Sequence, residues 1–297
     1  MKSIAIFGHD SGIPILEALT NPVFSSNFKF PVKVITNKDI ASMPNGNVQY
    51  INLALEEKNR EQMEPILKGI DVIVSTINAP PTDNGAEYDA LTQFILDAKP
   101  HLYIPSTYEF EFWISNNKLP KLPNPAEAHI AKVRSAGIKT VSIHTGLVVA
   151  KEWISTFRDP MGVDAENKTV TYIGEEDLKV SVTGAQDIAN VIASLAESRD
   201  PEDLSDDIYV ESDQVSTKDV AREYEDSAHV TLNQIHMSKE QALLEAKARW
   251  EKGHYSLQDY LFMLHVMWAT GDAATFRSND REYVNPGQTF WTWQKFV

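Results

Sequence analysis

The first 145 residues of the chain alternate short apolar runs with stretches of helical periodicity. The apolar runs predict strands at Ile4–Phe7, Val32–Ile35, Val48–Ile51, Ile70–Ile77, Leu102–Ser106 and Lys139–Thr145. The segments between them predict helices at Ile15–Leu19, Glu57–Lys68, Gly85–Ala98 and Pro125–Ala136, and a connection over Asn21–Pro31. Strands buried on both faces are apolar almost throughout, and strands that alternate with helices pair in parallel. The pattern therefore predicts an α/β fold with a doubly wound parallel sheet and right-handed crossovers.

Beyond Gly146 the period of the pattern changes. Glu152–Arg158 is predicted to be helical, and Thr169–Ile173 is predicted to pair with Leu178–Val182 across a short turn. Further helices and one strand are predicted at Ala185–Ser198, Ile208–Val210 (the strand), Thr217–Glu225, Lys239–Lys252 and Ser256–Ala269. We expect a Rossmann-like domain at residues 1–145 and a smaller α+β portion at 146–297, which packs over the carboxyl edge of the sheet and covers a substrate.

Composition narrows the classes of function. The chain has no cysteine, which excludes disulfides, thiol catalysis and zinc–thiolate sites, and no metal site is expected. The net charge of -15 disfavours direct nucleic-acid binding, because a surface that tracks phosphates is basic. No apolar run approaches the length of a membrane span, and Met1 lies directly before the first strand. We expect a cytoplasmic protein, with a nuclear location also open.

The first strand runs into a glycine turn and then a helix, and this arrangement favours a nucleotide. Gly8 and Gly12 lie in the turn, whereas Pro14 occupies the third glycine position of a G-x-x-G-x-x-G spacing. Backbone N–H groups at the start of the helix can approach a pyrophosphate there. The carboxylate of Asp10 must point away from that pyrophosphate or cap the helix. The alternative is a strand-to-helix turn without a ligand.

Two further strand ends should face the same crevice, because ligands of open α/β sheets bind outside the carboxyl ends of the strands. Ser75–Asn78 ends the fourth strand in small polar residues. Thr36–Lys38 ends the second strand, where an acid would bind a ribose hydroxyl and a cation would accommodate the 2′-phosphate of NADP. Lys38 and Asp39 stand side by side, so the residues leave both cofactors open.

The chain resembles the NmrA-like and isoflavone-reductase-like group of atypical short-chain dehydrogenases, especially its fungal members. The glycine turn and the segment Leu67–Thr76, similar to the family's "lkGvDvViSt", carry part of this resemblance. Other matching segments, in chain order, are Tyr103–Ser106, Val133–Ile138, Tyr172–Glu175, Val180–Ile188 and Val284–Trp293. The resemblance covers nearly the whole chain. It implies a dinucleotide-binding Rossmann fold.

The resemblance also implies a cofactor, NADP(H) in preference to NAD(H). The phosphates would lie at the glycine turn, the ribose at the end of the second strand, and the nicotinamide near the ends of the fourth and fifth strands. The implied cofactor-binding residues are Gly8, Ser11, Gly12, Ile13, Thr36, Asn37, Lys38, Ser75, Thr76, Ile77, Asn78, Pro105, Ser106 and Thr107. Asp10, which lies within the same turn, is predicted with them.

The catalytic residues of the family do not carry over. The chain contains no Tyr-x-x-x-Lys pair, in which lysine lowers the pKa of the tyrosine. Ala126 and Glu127 occupy the place where the isoflavone-reductase branch has a lysine. His129 shares a helix face with Ala126 and is the first candidate for a replacement acid; the others are Tyr108 and His144, each at a strand end. Each of these three is alternatively a packing or surface residue.

Three functions are therefore weighed. The first is an NADPH-dependent reductase of a small aromatic or enone-like substrate, in which the pocket supplies one proton donor. The second is a non-catalytic NADP(H) sensor that acts through a regulatory protein partner, which suits the missing lysine and the acidic surface. The third is a scaffold whose altered glycine turn no longer binds a nucleotide. The residues favour cofactor binding and leave the substrate and the oligomeric state open.

Overall fold

The computed structural model describes residues 1–8, 13–37, 46–77, 85–106, 125–149, 159–198, 200–253, 256–270, 275–276 and 278–296. Strands and helices alternate through most of its first half. In chain order they are β1 (Lys2–Phe7), α1 (Ile13–Thr20), β2 (Phe28–Thr36), β3 (Val48–Asn52), α2 (Arg60–Leu67), β4 (Val72–Ser75), α3 (Ala86–Ala98), β5 (Leu102–Ile104), α4 (Pro125–Ser135) and β6 (Ser142–His144).

Strands β1 to β5 form one parallel sheet in the order β3-β2-β1-β4-β5. Strand β1 lies in the middle, β2 and β3 follow on one side of it, and β4 and β5 on the other. This order confirms the predicted doubly wound α/β fold. Strand β6 continues the sheet, since Thr140 just before it bridges to Tyr103 of β5. Strand β11 (Asp207–Tyr209) then pairs in parallel with β6.

Helices cover both faces of this sheet, as buried parallel strands require. On one face, alternate strand residues such as Ile6 and Val74 pack with α1 and with α5 (Ala185–Glu197). On the other face, the intervening residues such as Phe7 and Ile73 pack with α2, α3 and α4. The strands are therefore apolar on both sides, which is the physical origin of the continuous apolar runs in the sequence.

The second half of the chain builds two smaller sheets and a helical layer. Its remaining elements are β7 (Leu147–Val149), β8 (Val163–Asp164), β9 (Thr169–Ile173), β10 (Val180–Gly184), β12 (Asp213–Val215), α6 (Thr217–Ala228), β13 (Asn233–Met237), α7 (Lys239–Trp250), α8 (Leu257–Ala269) and α9 (Arg281–Val284). The sheet orders are β12-β10-β7 and β13-β9-β8. A capping box at each of Ser216, Ser238 and Ser256 begins α6, α7 and α8.

The predicted hairpin between Thr169–Ile173 and Leu178–Val182 is wrong. Strand β9 pairs with β8 and β13, whereas β10 pairs with β7 and β12. Side chains of both strands, including Tyr172 and Val182, pack in one core cluster, so the two sheets face each other across it. The connection between β9 and β10 therefore passes from one sheet to the other. A short polar turn is compatible with a hairpin and with such a crossing, so the sequence did not distinguish the two.

Other local predictions also differ from the structure or lie outside it. The predicted connection over Asn21–Pro31 ends earlier, because Phe28 already pairs with Lys2 and is buried. Strands β7, β8, β12 and β13 were missed. Four of the five residues of β13 are exposed, and it shows no apolar alternation. The predicted helix Glu152–Arg158 lies outside the described residues.

The second half of the chain contacts the first half at several places. Helix α5 packs against α1 in the core cluster of the large sheet, and β11 extends that sheet beyond β6. The tail that follows α9 docks beside α5, where the amide of Gln294 donates to Asp187 at 2.9 Å. The division at residues 145 and 146 stays a prediction. No helix within the described ranges has the length and apolar character needed to cross a membrane.

Candidate functional site at the carboxyl edge of the sheet

Four strand ends lie at one height along the carboxyl edge of the large sheet. Their register follows from the strand pairs Phe7–Ile35, Phe7–Ser75 and Val74–Ile104. The residues that follow at one height, called the edge row below, are Thr36, Gly8, Thr76 and Ser106. The structure thus brings together four predicted cofactor-binding residues from four neighbouring strands.

Gly8 is the member of the edge row that must be glycine. Its φ is +101°, a left-handed conformation that other residues rarely adopt. A Cβ atom at Gly8 would lie 2.2 Å from Oγ1 of Thr76. Thr76 is fixed in turn, because its amide and its hydroxyl both donate to the carbonyl of Phe7, at 2.8 and 3.0 Å. The sheet therefore closes tightly at the point where the chain turns toward α1.

The structure covers the predicted phosphate turn in part. Asp10, Ser11 and Gly12 lie outside the described residues. Ile13 begins α1 and is 44% exposed, whereas Ile15 and Leu19 anchor the helix in the core. The first turn of a helix presents backbone N–H groups that suit a phosphate. Phosphate binding at this turn stays a prediction.

The residues at the end of β4 differ in their exposure to solvent. Ser75 is buried, and its hydroxyl accepts a hydrogen bond from the amide of Ile77 at 3.2 Å. Thr76 and Ile77 are partly exposed, and the carbonyl of Ile77 accepts from the hydroxyl of Tyr88 at 3.2 Å. Ser75 therefore shapes the turn, and Thr76 and Ile77 are the residues that can meet a ligand. Asn78 lies outside the described residues.

The ends of β2 and β5 flank this centre. Asn37 is exposed beyond the buried Thr36, as a residue beside a ribose would be. Pro105 is buried and Ser106 is partly exposed on the other side of β4. Lys38 and Thr107 belong to the segments that the structure does not describe, and so does the catalytic candidate Tyr108. Direct cofactor contact at these positions stays a prediction.

His129 lies between α4, α3 and β5, below the carboxyl edge. Its side chain is 2% exposed, with Nδ1 2.7 Å from Oγ1 of Thr92 and Nε2 2.8 Å from the hydroxyl of Tyr103. Tyr103 precedes Ser106 of the edge row by three residues, which is about 10 Å along a strand. These contacts favour a packing role for His129, and its role as a proton donor stays a prediction.

The hydrogen bonds around His129 define its protonation. The hydroxyl of Thr92 donates to the carbonyl of Tyr88 at 2.6 Å, so it accepts from Nδ1–H of His129. Nε2 then carries the lone pair and accepts from the hydroxyl of Tyr103. Burial lowers the pKa of His129 to about 4. The ring is therefore neutral at pH 7 and ties α4 to both α3 and β5.

His144 lies at the carboxyl edge itself. The bridge between Tyr103 and Thr140 places Ile143 level with Ser106, so His144 follows one residue beyond the edge row. The ring of His144 is 3% exposed. Among the three catalytic candidates, His144 is the one that the described structure brings to the end of a strand at the predicted crevice.

Strand β11 supplies two partners of His144 that sequence reasoning missed. Oδ1 of Asp207 lies 3.1 Å from Nε2 of His144. The ring of Tyr209 stacks on the imidazole with 4.4 Å between the ring centroids and 24° between the planes. The sequence predicted a strand at Ile208–Val210, which was the available signal. The pairing of this strand with the predicted strand Lys139–Thr145 was not predicted, so neither side chain could be assigned to His144.

The electrostatics of this pair are set by hydrogen bonding and by a nearby cation. The hydrogen bond from His144, together with the guanidinium of Arg134, keeps the pKa of Asp207 below its usual range. Because Asp207 is ionised, Nε2 of His144 carries its proton toward the carboxylate. Within the ranges that the structure describes, no three His, Asp or Glu side chains are grouped closely enough to hold a metal ion.

No family model and no curated protein sequence matches the chain. Solved structures do match over nearly the whole chain. One is an isoflavone reductase, with a TM-score of 0.67 at 15% identity, covering 98% of this chain and 96% of that one. The chain shares the isoflavone-reductase fold.

Two further structures with the isoflavone-reductase fold match as well. Leucoanthocyanidin reductase from Vitis vinifera in a binary complex with NADPH has a TM-score of 0.65 at 15% identity, with 92% of this chain and 89% of that one covered. Triphenylmethane reductase from a Citrobacter species has a TM-score of 0.66 at 13% identity, with 96% and 94% covered. At these identities the likeness shows the fold. A place among the fungal members stays a prediction.

Proposed function

We propose that the chain is an NADP(H)-binding reductase of a small aromatic or enone-like substrate. The observation that carries this proposal is the edge row, in which Thr36, Gly8, Thr76 and Ser106 end neighbouring strands at one height. Small side chains at this edge let the backbone approach a dinucleotide. The residues at this edge therefore fit a bound dinucleotide.

Similar folds support the choice of cofactor and substrate class. The Vitis vinifera leucoanthocyanidin reductase is a complex with NADPH, and the isoflavone and triphenylmethane reductases are named for aromatic substrates. NADP(H) is accordingly proposed ahead of NAD(H), with Asn37 and Lys38 beside the adenosine ribose. The partner of the chain is then a small molecule bound next to the nicotinamide.

In this proposal the bound cofactor supplies a hydride, and the chain supplies position and a proton. The left-handed backbone of Gly8 would leave room for the pyrophosphate beside the first turn of α1. Thr76, Ile77 and Ser106 would orient the nicotinamide end of the cofactor. The substrate would lie over the ends of β5 and β6, where His144 is a described titratable side chain at the edge.

Thermal unfolding with about 1 mM NADPH, NADP⁺, NADH or NAD⁺ tests the cofactor. A ligand at 100 times its dissociation constant adds about 2.7 kcal/mol to the free energy of unfolding, which raises the midpoint. We expect the largest increase with NADPH or NADP⁺. No increase with any of the four would contradict the proposal and favour the scaffold alternative.

Consumption of NADPH, followed by its absorbance, tests the reaction. We expect turnover with an aromatic enone such as 4-phenyl-3-buten-2-one or with another member of a panel of enones and quinones. Tight NADPH binding without turnover of any member would contradict the reductase and favour the non-catalytic sensor. A search for protein partners whose binding changes between NADPH and NADP⁺ would then follow.

A further inference from the structure

His144 and Asp207 lie on two neighbouring, paired strands, and their side chains are within hydrogen-bond distance. Tyr209 pairs with His144 and Asp207 pairs with Ser142, so Asp207, Tyr209 and His144 point to the same face of the sheet. The carboxylate meets Nε2 at 3.1 Å, and the phenol ring covers one face of the imidazole. The ring of His144 is therefore held in one orientation by two independent contacts.

The position of the pair matches the substrate end of the proposed crevice. His144 follows the edge row by one residue and lies on the second strand beyond β4. Neighbouring strands are about 4.8 Å apart, so His144 lies about 10 Å along the edge from Thr76. A nicotinamide above the ends of β4 and β5 would leave a substrate within reach of β6.

Burial explains why His144 needs a carboxylate to hold a second proton. An imidazolium that is 3% exposed is costly unless a charge of opposite sign lies next to it. The described charged and titratable groups around the ring are Asp207 and Tyr209 of β11 and Arg134 of α4. Arg134 opposes the charged ring, and the ionised Asp207 favours it from within hydrogen-bond distance.

We propose that Asp207 is a positioning residue that orients His144 and lets it carry a transferable proton at the carboxyl edge; this rests on the proposed reductase function. Asp207 holds the proton on Nε2, so the second proton of the charged ring lies on Nδ1.

The proton step balances for an enone substrate. A bound reduced nicotinamide would supply a hydride to the β-carbon, and the electron pair displaced from the carbon–carbon double bond would move toward the carbonyl oxygen. The Nδ1 proton of His144 passes to that oxygen, and the N–H electron pair stays on Nδ1. His144 is left neutral with its remaining proton on Nε2, donated to Asp207. A proton from water restores the charged ring.

Asp207→Asn, with Asp206→Asn as the matched control, tests the assignment. Asp206 is the adjacent carboxylate, it pairs with Lys139 at 2.5 Å, and its side chain has no described contact with His144. Proton NMR titration of the cofactor-free protein reports the pKa of His144, whose signal is identified by its loss in His144→Gln. We expect Asp207→Asn to lower this pKa by about 1 to 3 units and Asp206→Asn to leave it unchanged.

The pH dependence of steady-state kinetics separates a positioning role of Asp207 from a purely structural one. With 4-phenyl-3-buten-2-one and NADPH, we expect kcat to fall as pH rises through the pKa of His144. In Asp207→Asn this limb should move to lower pH, with little change in the KM for NADPH, and Asp207→Glu should restore part of kcat. A lowered kcat with an unchanged pH profile would overturn the positioning role.

Other outcomes distinguish this proposal from the proposed function. Equal His144 pKa values in the wild type and Asp207→Asn, or a wild-type value below about 5, would overturn the proposal even if NADPH is oxidised. Failure of NADPH to bind, or binding without turnover of any substrate, would overturn the reductase function and this proposal with it. The midpoint of thermal unfolding of each variant shows that it is folded.

Discussion

Oγ1 of Thr92 and Nδ1 of His129 lie 2.7 Å apart in the layer between α3, α4 and the sheet. The same hydroxyl donates to the carbonyl of Tyr88, so Thr92 satisfies two buried groups at once. His129 in turn accepts from Tyr103, which extends the contact to β5. This histidine stabilises the face of the sheet that supports the edge row.

We expect Thr92→Val to lower the free energy of unfolding by about 1 to 3 kcal/mol, because Nδ1–H of His129 loses its acceptor. Thr20→Val is a matched control. Thr20 also donates to the carbonyl four residues earlier, at 2.8 Å, near a helix end and without a histidine partner. Urea unfolding at pH 7 gives both values. Equal losses in the two variants would show that the bond to His129 contributes little.

Stability should fall as pH drops below neutral, because two histidines are buried in the neutral form. Burial lowers the pKa of His129 and of His265 to about 4 from 6.5. The unfolded chain takes up these protons from about pH 6.5 downward, whereas the folded chain takes them up only near pH 4. Between pH 7 and pH 5, each histidine should therefore lower the free energy of unfolding by about 2 kcal/mol. Urea titrations at the two pH values measure this.

His265→Leu should reduce that pH dependence by about 2 kcal/mol. Nε2 of His265 is buried and has no hydrogen-bond partner in the described part of the chain, so an apolar side chain of similar volume should cost little at pH 7. The variant should therefore be more stable than the wild type at pH 5. An unchanged slope between pH 7 and pH 5 would contradict the buried, neutral assignment.

Gly8→Ala should remove the cofactor-induced rise in the unfolding midpoint and lower the free energy of unfolding by about 1 to 3 kcal/mol. The added Cβ would lie 2.2 Å from Oγ1 of Thr76, and φ is +101°. Gly46→Ala is the control, since no atom lies within 4 Å of its added Cβ. Thermal unfolding with and without NADPH gives both effects. A retained response to NADPH in Gly8→Ala would show that the turn is not part of the cofactor site.

Asn285→Asp should loosen the docking of the tail. Asn285 is fully buried, donates to the carbonyl of Trp291 at 2.7 Å and accepts from the amide of Phe290 at 3.0 Å. The introduced carboxylate still accepts from Phe290, but its second oxygen faces a carbonyl, so we expect a loss of about 2 to 4 kcal/mol at pH 7. Protonation restores a donor, and the loss should shrink as pH falls.

Asn21→Asp provides the comparison for the tail variant. Asn21 is exposed, and its side chain accepts from the amide of Val23 at 3.0 Å. This bond survives the substitution, and we expect a change within about 0.5 kcal/mol. Urea unfolding at pH 7 and pH 4.5 measures both variants. Similar losses in both would mean that the bond to Trp291 does not stabilise the tail.

Much of the large sheet could be predicted from the sequence, for a physical reason that is local. A strand buried on both faces must be apolar almost throughout, and Ile4–Phe7 and Val72–Ser75 show this directly. The helix–strand alternation then fixes parallel pairing. Gly8 could also be predicted, because the left-handed turn at a strand end requires glycine.

The partners of the candidate acids could not be predicted in the same way. His144 and Asp207 are 63 residues apart in the chain, and their contact depends on β11 pairing with β6. His129 has the spacing of a residue on a site-facing helix surface, yet Thr92 and Tyr103 enclose both of its ring nitrogens. Periodicity shows which face of an element is buried and does not show which side chains meet there.

The sequence by itself determined the strands of the large sheet, their doubly wound arrangement and the need for glycine at Gly8, because hydrophobic burial and backbone sterics act within a few residues. Tertiary structure decided the rest. It separated Thr169–Ile173 from Val180–Gly184 into two sheets, and it brought Asp207 and Tyr209 to His144. Those outcomes depend on packing between distant segments, where the total burial of the fold selects the partner and local pattern does not.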